Sequence, residues 1–150
     1  MRFMKAGVIA VVFAGSFSVA QAATCYKADE IEADQAIRFQ AQLMVLSDSC
    51  GSPSYTQFEE HNGRTLAAYQ QKLIAYFKRV SAHADSAFDK FITALANKTA
   101  LDAGHQPIAS LCSQSADFLN KASAFNKEDF ERYVAEQAAA QRGNYPSCKG

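Results

Sequence analysis

The residues of this sequence with the most specific chemistry are its four cysteines, Cys25, Cys50, Cys112 and Cys148. Zinc sites built from thiolates usually contain cysteines two to four residues apart, and no two of these cysteines are that close. The C-x-x-C-H sequence that attaches a c-type haem is also absent. An even number of widely spaced cysteines in an exported chain instead predicts two disulfides, which would leave no free thiol to act as a nucleophile.

The evidence for export is the N-terminal segment 1–22, MRFMKAGVIAVVFAGSFSVAQA. It begins with Arg2 and Lys5, continues with an apolar run and ends in Ala20-Gln21-Ala22, the pattern at which a secretory signal peptide is cleaved. The apolar run is shorter than the roughly 20 residues that a membrane-spanning helix needs. We therefore expect residues 1–22 to be removed, residues 23–150 to form a single domain, and the protein to be periplasmic or secreted.

The mature chain would be close to electrically neutral. The leader carries two of the 15 basic residues and none of the 15 acidic ones, so the net charge after cleavage is −2. Such a chain has no general attraction to nucleic acid or to acidic lipid. No second long apolar run follows, so we expect no membrane span after cleavage. Lipidation of Cys25 is an alternative form of anchoring, but Ala22 and Thr24 fit the usual lipoprotein signal poorly.

Three histidines, His61, His83 and His105, are the other candidates for chemistry. In the helical bundle predicted below, His61 and His105 lie near one end and His83 lies near the other, so the three cannot all converge. One interpretation is a two-histidine zinc or copper site with Glu59 or Glu60. The other, which we expect, is that all three are surface histidines, with no metal and no other cofactor.

The adjacent acidic residues do not indicate catalysis by paired carboxylates. Glu59-Glu60 and Asp129 with Glu131 are one or two residues apart, and helix residues at that spacing point in different directions. Their positions near helix starts favour an electrostatic role at helix N-termini. No G-x-S-x-G, H-E-x-x-H or glycine-rich phosphate loop is present. We therefore predict that the protein is not an enzyme and has no catalytic residues.

The elements that must position these residues are helices. Apolar residues recur three and four apart almost throughout the mature chain, and no segment alternates long enough to predict a strand. We predict helix one over about 30–49, helix two from Thr56, helix three from Asp85, helix four from Pro107 and helix five from Asn126. Short connections make successive helices antiparallel neighbours. The predicted fold class is all-α, an up-down helical bundle of four to five helices with two disulfides.

The up-down order also indicates which cysteines pair. Helix one ends at Cys50, and helix four starts at the same end with Cys112 in its first turns, so this pair most easily brings its Cα atoms within about 7 Å. Elimination leaves Cys25 with Cys148. A rising helix five would end far from Cys25, so the second pair needs a tail that folds back or a helix that lies across the bundle. The alternative is Cys25–Cys112 with Cys50–Cys148.

Several short segments resemble an uncharacterised family of small exported all-helical bacterial proteins. The family pattern is an L-M-V helix that ends in Cys, a Y-x-x-F start of the next helix and an F-x-x-x-L-A-N segment. The corresponding segments here are LMVLSDSC, YTQF, AYFKR, FDKFITALAN and a cysteine in helix four. The resemblance covers about residues 42–112, and it implies an exported helical fold without implying an activity.

The aromatic residues bear most directly on function. Six of them at helical spacing either line a ligand cavity between helices or form the core: Tyr69, Tyr76, Phe77, Phe88, Phe91 and Phe118. Three other aromatic residues fall outside the helical stripes: Tyr26, Tyr55 and Tyr145. They either contact another protein at the ends of the bundle or cover the disulfides.

We predict a non-enzymatic periplasmic interaction protein that binds another envelope protein, as inhibitors, immunity proteins and chaperones do. The alternative is a carrier of a small apolar or metal ligand in the bundle interior.

Overall fold

The structure is a computed structural model that describes residues 24–146 and 148, so the predicted signal peptide, 1–22, lies outside the described residues. Within residues 24–146, five α-helices follow one another, and a single 3-10 turn, Arg142–Asn144, comes after them. The helices are α1 (Ala28–Ser49), α2 (Ser54–Val80), α3 (Ala84–Gly104), α4 (Ile108–Ser123) and α5 (Lys127–Gln141). The predicted all-α bundle with two disulfides is confirmed. Within the part of the chain that is described, none of the helices has the length and apolarity to cross a lipid bilayer.

The central helix of the bundle is α1, which packs against each of the other four helices. It is therefore buried on more than one side. Ala33, Ile37, Phe39 and Leu43 all lie in the core although they do not share one face of the helix. A helix at the edge of a bundle needs a single apolar stripe, whereas α1 has neighbours around most of its circumference.

Phe39 is the centre of the aromatic core. Its ring centroid lies between 5.1 and 5.9 Å from five other aromatic rings, distances that are typical of favourable aromatic pairs. These rings come from α2, from α4 and its connection to α5, and from α5 itself: Phe58, Phe118, Phe125, Phe130 and Tyr133. One side chain of the central helix thus joins three of the surrounding helices.

The helix ends follow local capping signals. Gly51 has a φ of +60°, a left-handed conformation that favours glycine, and α1 ends just before it. The start of α1 lies earlier than predicted because the Glu30 carboxylate accepts a hydrogen bond from the backbone N–H of Lys27 at 2.8 Å. The predicted cap of α5 is present, since the Asn126 side-chain oxygen accepts from the backbone N–H of Asp129 at 2.9 Å.

The two disulfides join residues that are distant in sequence. Cys50 at the end of α1 pairs with Cys112 in the second turn of α4, with a Cα–Cα distance of 5.5 Å. Cys25 pairs with Cys148, with a Cα–Cα distance of 4.8 Å. Both distances lie within the usual range for disulfides. No cysteine among the described residues is free.

The direction of α5 explains how the second disulfide forms. Phe130, near the start of α5, lies beside Phe39 in the middle of α1, with ring centroids 5.4 Å apart. Tyr145, beyond the end of α5, contacts Asp34, which is closer to the start of α1. The helix α5 therefore runs antiparallel to α1, and the expectation that helix five rises parallel to helix one is wrong. Cys148 thus arrives at the end of the bundle where α1 begins, as its disulfide with Cys25 requires.

Candidate functional site

The three histidines are exposed and lie on different elements. His61 is within α2, His83 comes just before α3, and His105 comes just after it. Among the described residues, no three His, Cys, Asp or Glu side chains are grouped closely enough to hold a metal ion. His61 lines a surface depression together with Glu59 and Glu60, but His105 does not line it. The structure therefore does not bring together the two-histidine arrangement considered from the sequence.

Asp129 and Glu131 of α5 are paired with cations and not with each other. Glu131 lies 2.6 Å from the Lys127 ammonium one turn away, and Asp129 pairs with Arg132. A carboxylate pair that shares a proton needs its two carboxyl groups face to face. The first turns of α5 instead carry ordinary ion pairs between neighbouring turns of one helix.

Tyrosines close the end of the bundle where α1 begins. The ring of Tyr26 stacks on that of Tyr76, with centroids 4.0 Å apart, and meets Tyr145 edge-on at 4.9 Å. Burial raises the pKa of Tyr26, and its hydrogen bond with Tyr76 raises the pKa further. Tyr26 therefore contacts both Tyr76 and Tyr145 at this end of the bundle, and the backbone N–H of Tyr26 donates to the carbonyl of Pro146 at 2.8 Å.

A fully buried carboxylate, that of Asp34, lies next to this tyrosine cluster. It accepts hydrogen bonds from the Tyr145 hydroxyl and from Arg38 Nε at 2.6 Å, with a longer bond of 3.4 Å from Arg38 Nη2. The side-chain amide of Gln35 donates to the same tyrosine hydroxyl at 2.7 Å. Burial raises the pKa of Tyr145 to about 12, with a further contribution from the hydrogen bond to Asp34.

Arg38 extends from this buried carboxylate to the surface, where its side chain is 45% exposed. Its guanidinium carbon lies 5.5 Å from the centre of the Phe91 ring on α3, within the range of a cation–π contact. Partial burial lowers the pKa of Arg38, but hydrogen bonding and the charge of Asp34 outweigh this effect and raise the pKa above its ordinary value. Arg38 is therefore charged and held in one place.

A groove of about 400 Å³ lies between α1, α3 and α4, and we call it the α3–α4 groove. Leu46 of α1, Leu95 of α3 and Leu111 of α4 provide its apolar lining. The groove exists because α3 and α4 scarcely contact each other. The helix α3 is also the least buried of the five, with Phe88 as its one buried residue.

Charged residues also line the α3–α4 groove. Arg38 projects into its lining from α1, and Lys98 and Asp102 line it from α3. Lys98 and Asp102 form an exposed ion pair of 2.6 Å on successive turns of α3. The groove thus combines leucine side chains with one held cation and one exposed ion pair.

Two large apolar side chains are exposed at the connection between α3 and α4. Leu101 is 67% exposed and Ile108 is 57% exposed. Leu101 adjoins Asp102 in the chain, and Ile108 comes one turn before Leu111; Asp102 and Leu111 line the α3–α4 groove, whereas Leu101 and Ile108 themselves do not. Single exposed apolar residues are ordinary, but two of them at the connection between the helices that form a leucine-lined groove favour an apolar contact there.

The six aromatic residues considered as a cavity lining belong to the core of the bundle. Tyr69, Tyr76 and Phe88 are buried in the main hydrophobic cluster. Phe77, Phe91 and Phe118 are partly buried and pack against that cluster. The helical spacing of these six aromatic residues in the sequence is what indicated that they could belong to the core.

Comparisons of the chain with known protein families, with characterised proteins and with solved structures find no match. The surface of the molecule therefore carries the evidence on function, and the α3–α4 groove is the candidate site.

Proposed function

We propose that this is a non-enzymatic periplasmic protein that binds another envelope protein, and that the α3–α4 groove is its binding surface. The observation that carries the proposal is a leucine-lined groove between α3 and α4, together with exposed Leu101 and Ile108 at the connection between these two helices. Removing apolar surface from water contributes roughly 25 cal/mol per Å², so covering these side chains favours association. Exposed apolar patches of this kind commonly mark protein interaction sites.

The shape of the groove favours a helix as the part of the partner that binds. Helices α3 and α4 stand apart over α1, and a further helix can pack between two separated helices by inserting its side chains among theirs. Binding of an amphipathic helix in an apolar groove is a recurrent mode of recognition. Inhibitors, immunity proteins and chaperones can all act through such a contact, and the partner decides which of these roles applies.

The proposed location is supported by the N-terminal segment and by the cysteines. Disulfides persist in oxidising compartments such as the bacterial periplasm and are rare in the cytosol, and the cysteines at positions 25, 50, 112 and 148 form two of them. The signal-peptide pattern of residues 1–22 and the resemblance to small exported bacterial proteins support the same location.

A carrier of a small apolar ligand is the second candidate, because the groove of about 400 Å³ falls within the size range of small-molecule sites. The interior around Phe39, by contrast, is filled by aromatic rings. Native mass spectrometry of protein purified from its own host separates the two functions. A carrier should show the mass of a bound small molecule, and an interaction protein should show the bare polypeptide.

The direct test is capture of the partner from an envelope extract by the wild-type protein and by two variants. The double variant Leu101→Asp/Ile108→Asp places charges on the exposed apolar residues. The control Met44→Asp changes an exposed apolar residue of α1 that does not line the groove. We expect one partner in near-equal amount with the wild type and the control, and its loss with the double variant. Absence of such a partner, or a partner indifferent to the double variant, contradicts the proposal.

A further inference from the structure

We propose that Arg38 is the residue through which the α3–α4 groove recognises a carboxylate, and that the partner therefore presents an acidic amphipathic helix. This inference rests on the proposed function, because it requires the groove to be a binding surface. It adds the chemistry of the partner, which the apolar lining alone does not specify.

Arg38 is held before any partner arrives. The fully buried carboxylate of Asp34 accepts from Arg38 Nε at 2.6 Å, and the guanidinium also lies 5.5 Å from the centre of the Phe91 ring. Asp34 is itself fixed by the Tyr145 hydroxyl. A side chain that is already ordered loses little conformational entropy on binding, so Arg38 is better prepared for a ligand than an ordinary surface arginine.

The guanidinium retains donors for a second carboxylate. It carries five N–H donors in a planar fork, and Asp34 accepts from two of its nitrogens, Nε and Nη2. Arginine is the side chain best suited to hydrogen bond a carboxylate through two parallel bonds. Because Asp34 lies beneath Arg38 and is fully buried, the charge that remains accessible in this part of the groove is the positive one.

The other charges in the groove are compatible with an incoming carboxylate. The side chain of Lys98 is 71% exposed, and among the described residues it forms an ion pair only with Asp102, which is exposed as well. Exposed ion pairs of this type are weak, so the Lys98 ammonium can turn toward a partner. A carboxylate in the groove therefore meets Arg38 and Lys98, with Asp102 as the single opposing charge in the lining. The leucines beside them select apolar side chains on the same helix.

The test uses three capped, fluorescent helical peptides with leucines at positions i, i+3, i+4 and i+7. The positions beside the leucines are glutamate, glutamine or lysine, and binding to the full chain is measured by fluorescence anisotropy. We expect the glutamate peptide to bind about tenfold more tightly than the glutamine peptide, and the lysine peptide to bind most weakly. The advantage of glutamate should shrink as salt concentration rises.

Variants assign the preference to Arg38. The double variant Asp34→Asn/Arg38→Gln removes the cation without leaving a buried carboxylate unpaired, and it should bind the glutamate and glutamine peptides equally. The control Arg64→Gln changes an exposed arginine of α2 that does not line the groove, and it should keep the full preference for glutamate. Far-UV circular dichroism checks that each variant is folded.

The outcomes separate this inference from the proposed function. Equal binding of the glutamate and glutamine peptides to the wild type, with loss of both on Leu101→Asp/Ile108→Asp, keeps the groove as a binding surface and overturns the role of Arg38. No binding of any peptide contradicts both. Arg38-dependent binding to phosphatidylglycerol vesicles in place of the peptides would assign the site to lipid and overturn the inference. If sedimentation analysis shows a dimer and the Leu101→Asp variant is a monomer, the groove binds a second copy of this chain. That result would also overturn the inference.

Discussion

The hydroxyl of Tyr145 donates a hydrogen bond to the carboxylate of Asp34, although the two residues are 111 positions apart in the sequence. The same carboxylate accepts from Arg38, which lines the α3–α4 groove. One buried group therefore joins the C-terminal tail, the first half of α1 and the candidate site. The position of the tail helps to fix the position of Arg38.

Removing the Tyr145 hydroxyl should weaken the fold measurably. The variant Tyr145→Phe takes one hydrogen bond from a fully buried carboxylate, and hydrogen bonds to charged groups contribute about 1.5–3 kcal/mol. We expect the free energy of unfolding in urea, followed by circular dichroism, to fall by about this amount. Tyr55→Phe is the matched control, because the Tyr55 hydroxyl donates to the exposed carboxylate of Glu59. Equal losses in the two variants would show that the buried bond has no special weight.

Stability should decrease at high pH because of tyrosines whose pKa is raised in the folded state. Burial raises the pKa of Tyr145 and of Tyr69 to about 12, whereas an unfolded tyrosine has a pKa of about 10. Between pH 10 and pH 12 the unfolded chain loses protons that the folded chain keeps, so unfolding becomes more favourable as pH rises. The stabilisation is complete below about pH 10.

The measurement is the free energy of unfolding in urea across this pH range, with phenolate absorbance as a second readout. We expect the wild type to lose stability steadily from about pH 10. The Tyr145→Phe variant should lose it with a shallower slope, since one titrating group is gone. A flat profile, or ionisation of every tyrosine near its ordinary pKa in the folded protein, would be incompatible with the buried cluster.

Each disulfide should contribute several kcal/mol to stability. The chain-entropy model gives about 4 kcal/mol for the loop closed by Cys50–Cys112, whose residues are 62 apart, and about 5 kcal/mol for Cys25–Cys148, whose residues are 123 apart. Paired replacement by serine, one disulfide at a time, and unfolding in urea test these values. A loss below about 1 kcal/mol for either pair would mean that the crosslink does not constrain the unfolded chain.

Asn62 should be among the polar residues whose loss is most costly. It is fully buried, and its side-chain amide donates to the carbonyls of Phe58 at 3.2 Å and Phe125 at 2.8 Å. Its Oδ1 has no hydrogen-bond partner among the described residues. In Asn62→Ala the carbonyl of Phe125 loses this donor, so we expect the free energy of unfolding to fall by about 1–3 kcal/mol. Asn120→Ala, at an exposed position of α4, should change it by less than about 0.5 kcal/mol, and a comparable loss there would contradict this reasoning.

Local patterns were sufficient for the helices and for the Cys50–Cys112 disulfide, whereas Cys25–Cys148 followed only by elimination and depends on a direction of α5 that the up-down order did not predict. The three-and-four spacing around Phe39 and Leu43 defined α1, and the up-down order brought Cys50 to Cys112, because short connections leave few ways to arrange successive helices. The start of α1 was less well predicted. The helix begins at Ala28, two residues before the predicted start, and its capping carboxylate is that of Glu30.

The candidate site was not predictable from the sequence. Ile108 has helical spacing from Leu111 and Leu119, yet it is exposed while they are buried, because spacing does not show how far the neighbouring helices extend. The contact of Asp34 with Tyr145 depends on the direction of α5. That direction is set by tertiary packing and leaves no local signal at either residue.

The central claim is that the α3–α4 groove binds a protein partner, and photocrosslinking in living cells of the native host tests it most directly. A benzoylphenylalanine placed at Leu101 is one residue from Asp102 of the groove lining, and one placed at Met44 is an exposed control on α1 outside the lining. We predict one discrete crosslinked product at Leu101 that is absent at Met44. No product at Leu101, or the same product at both positions, would contradict the claim.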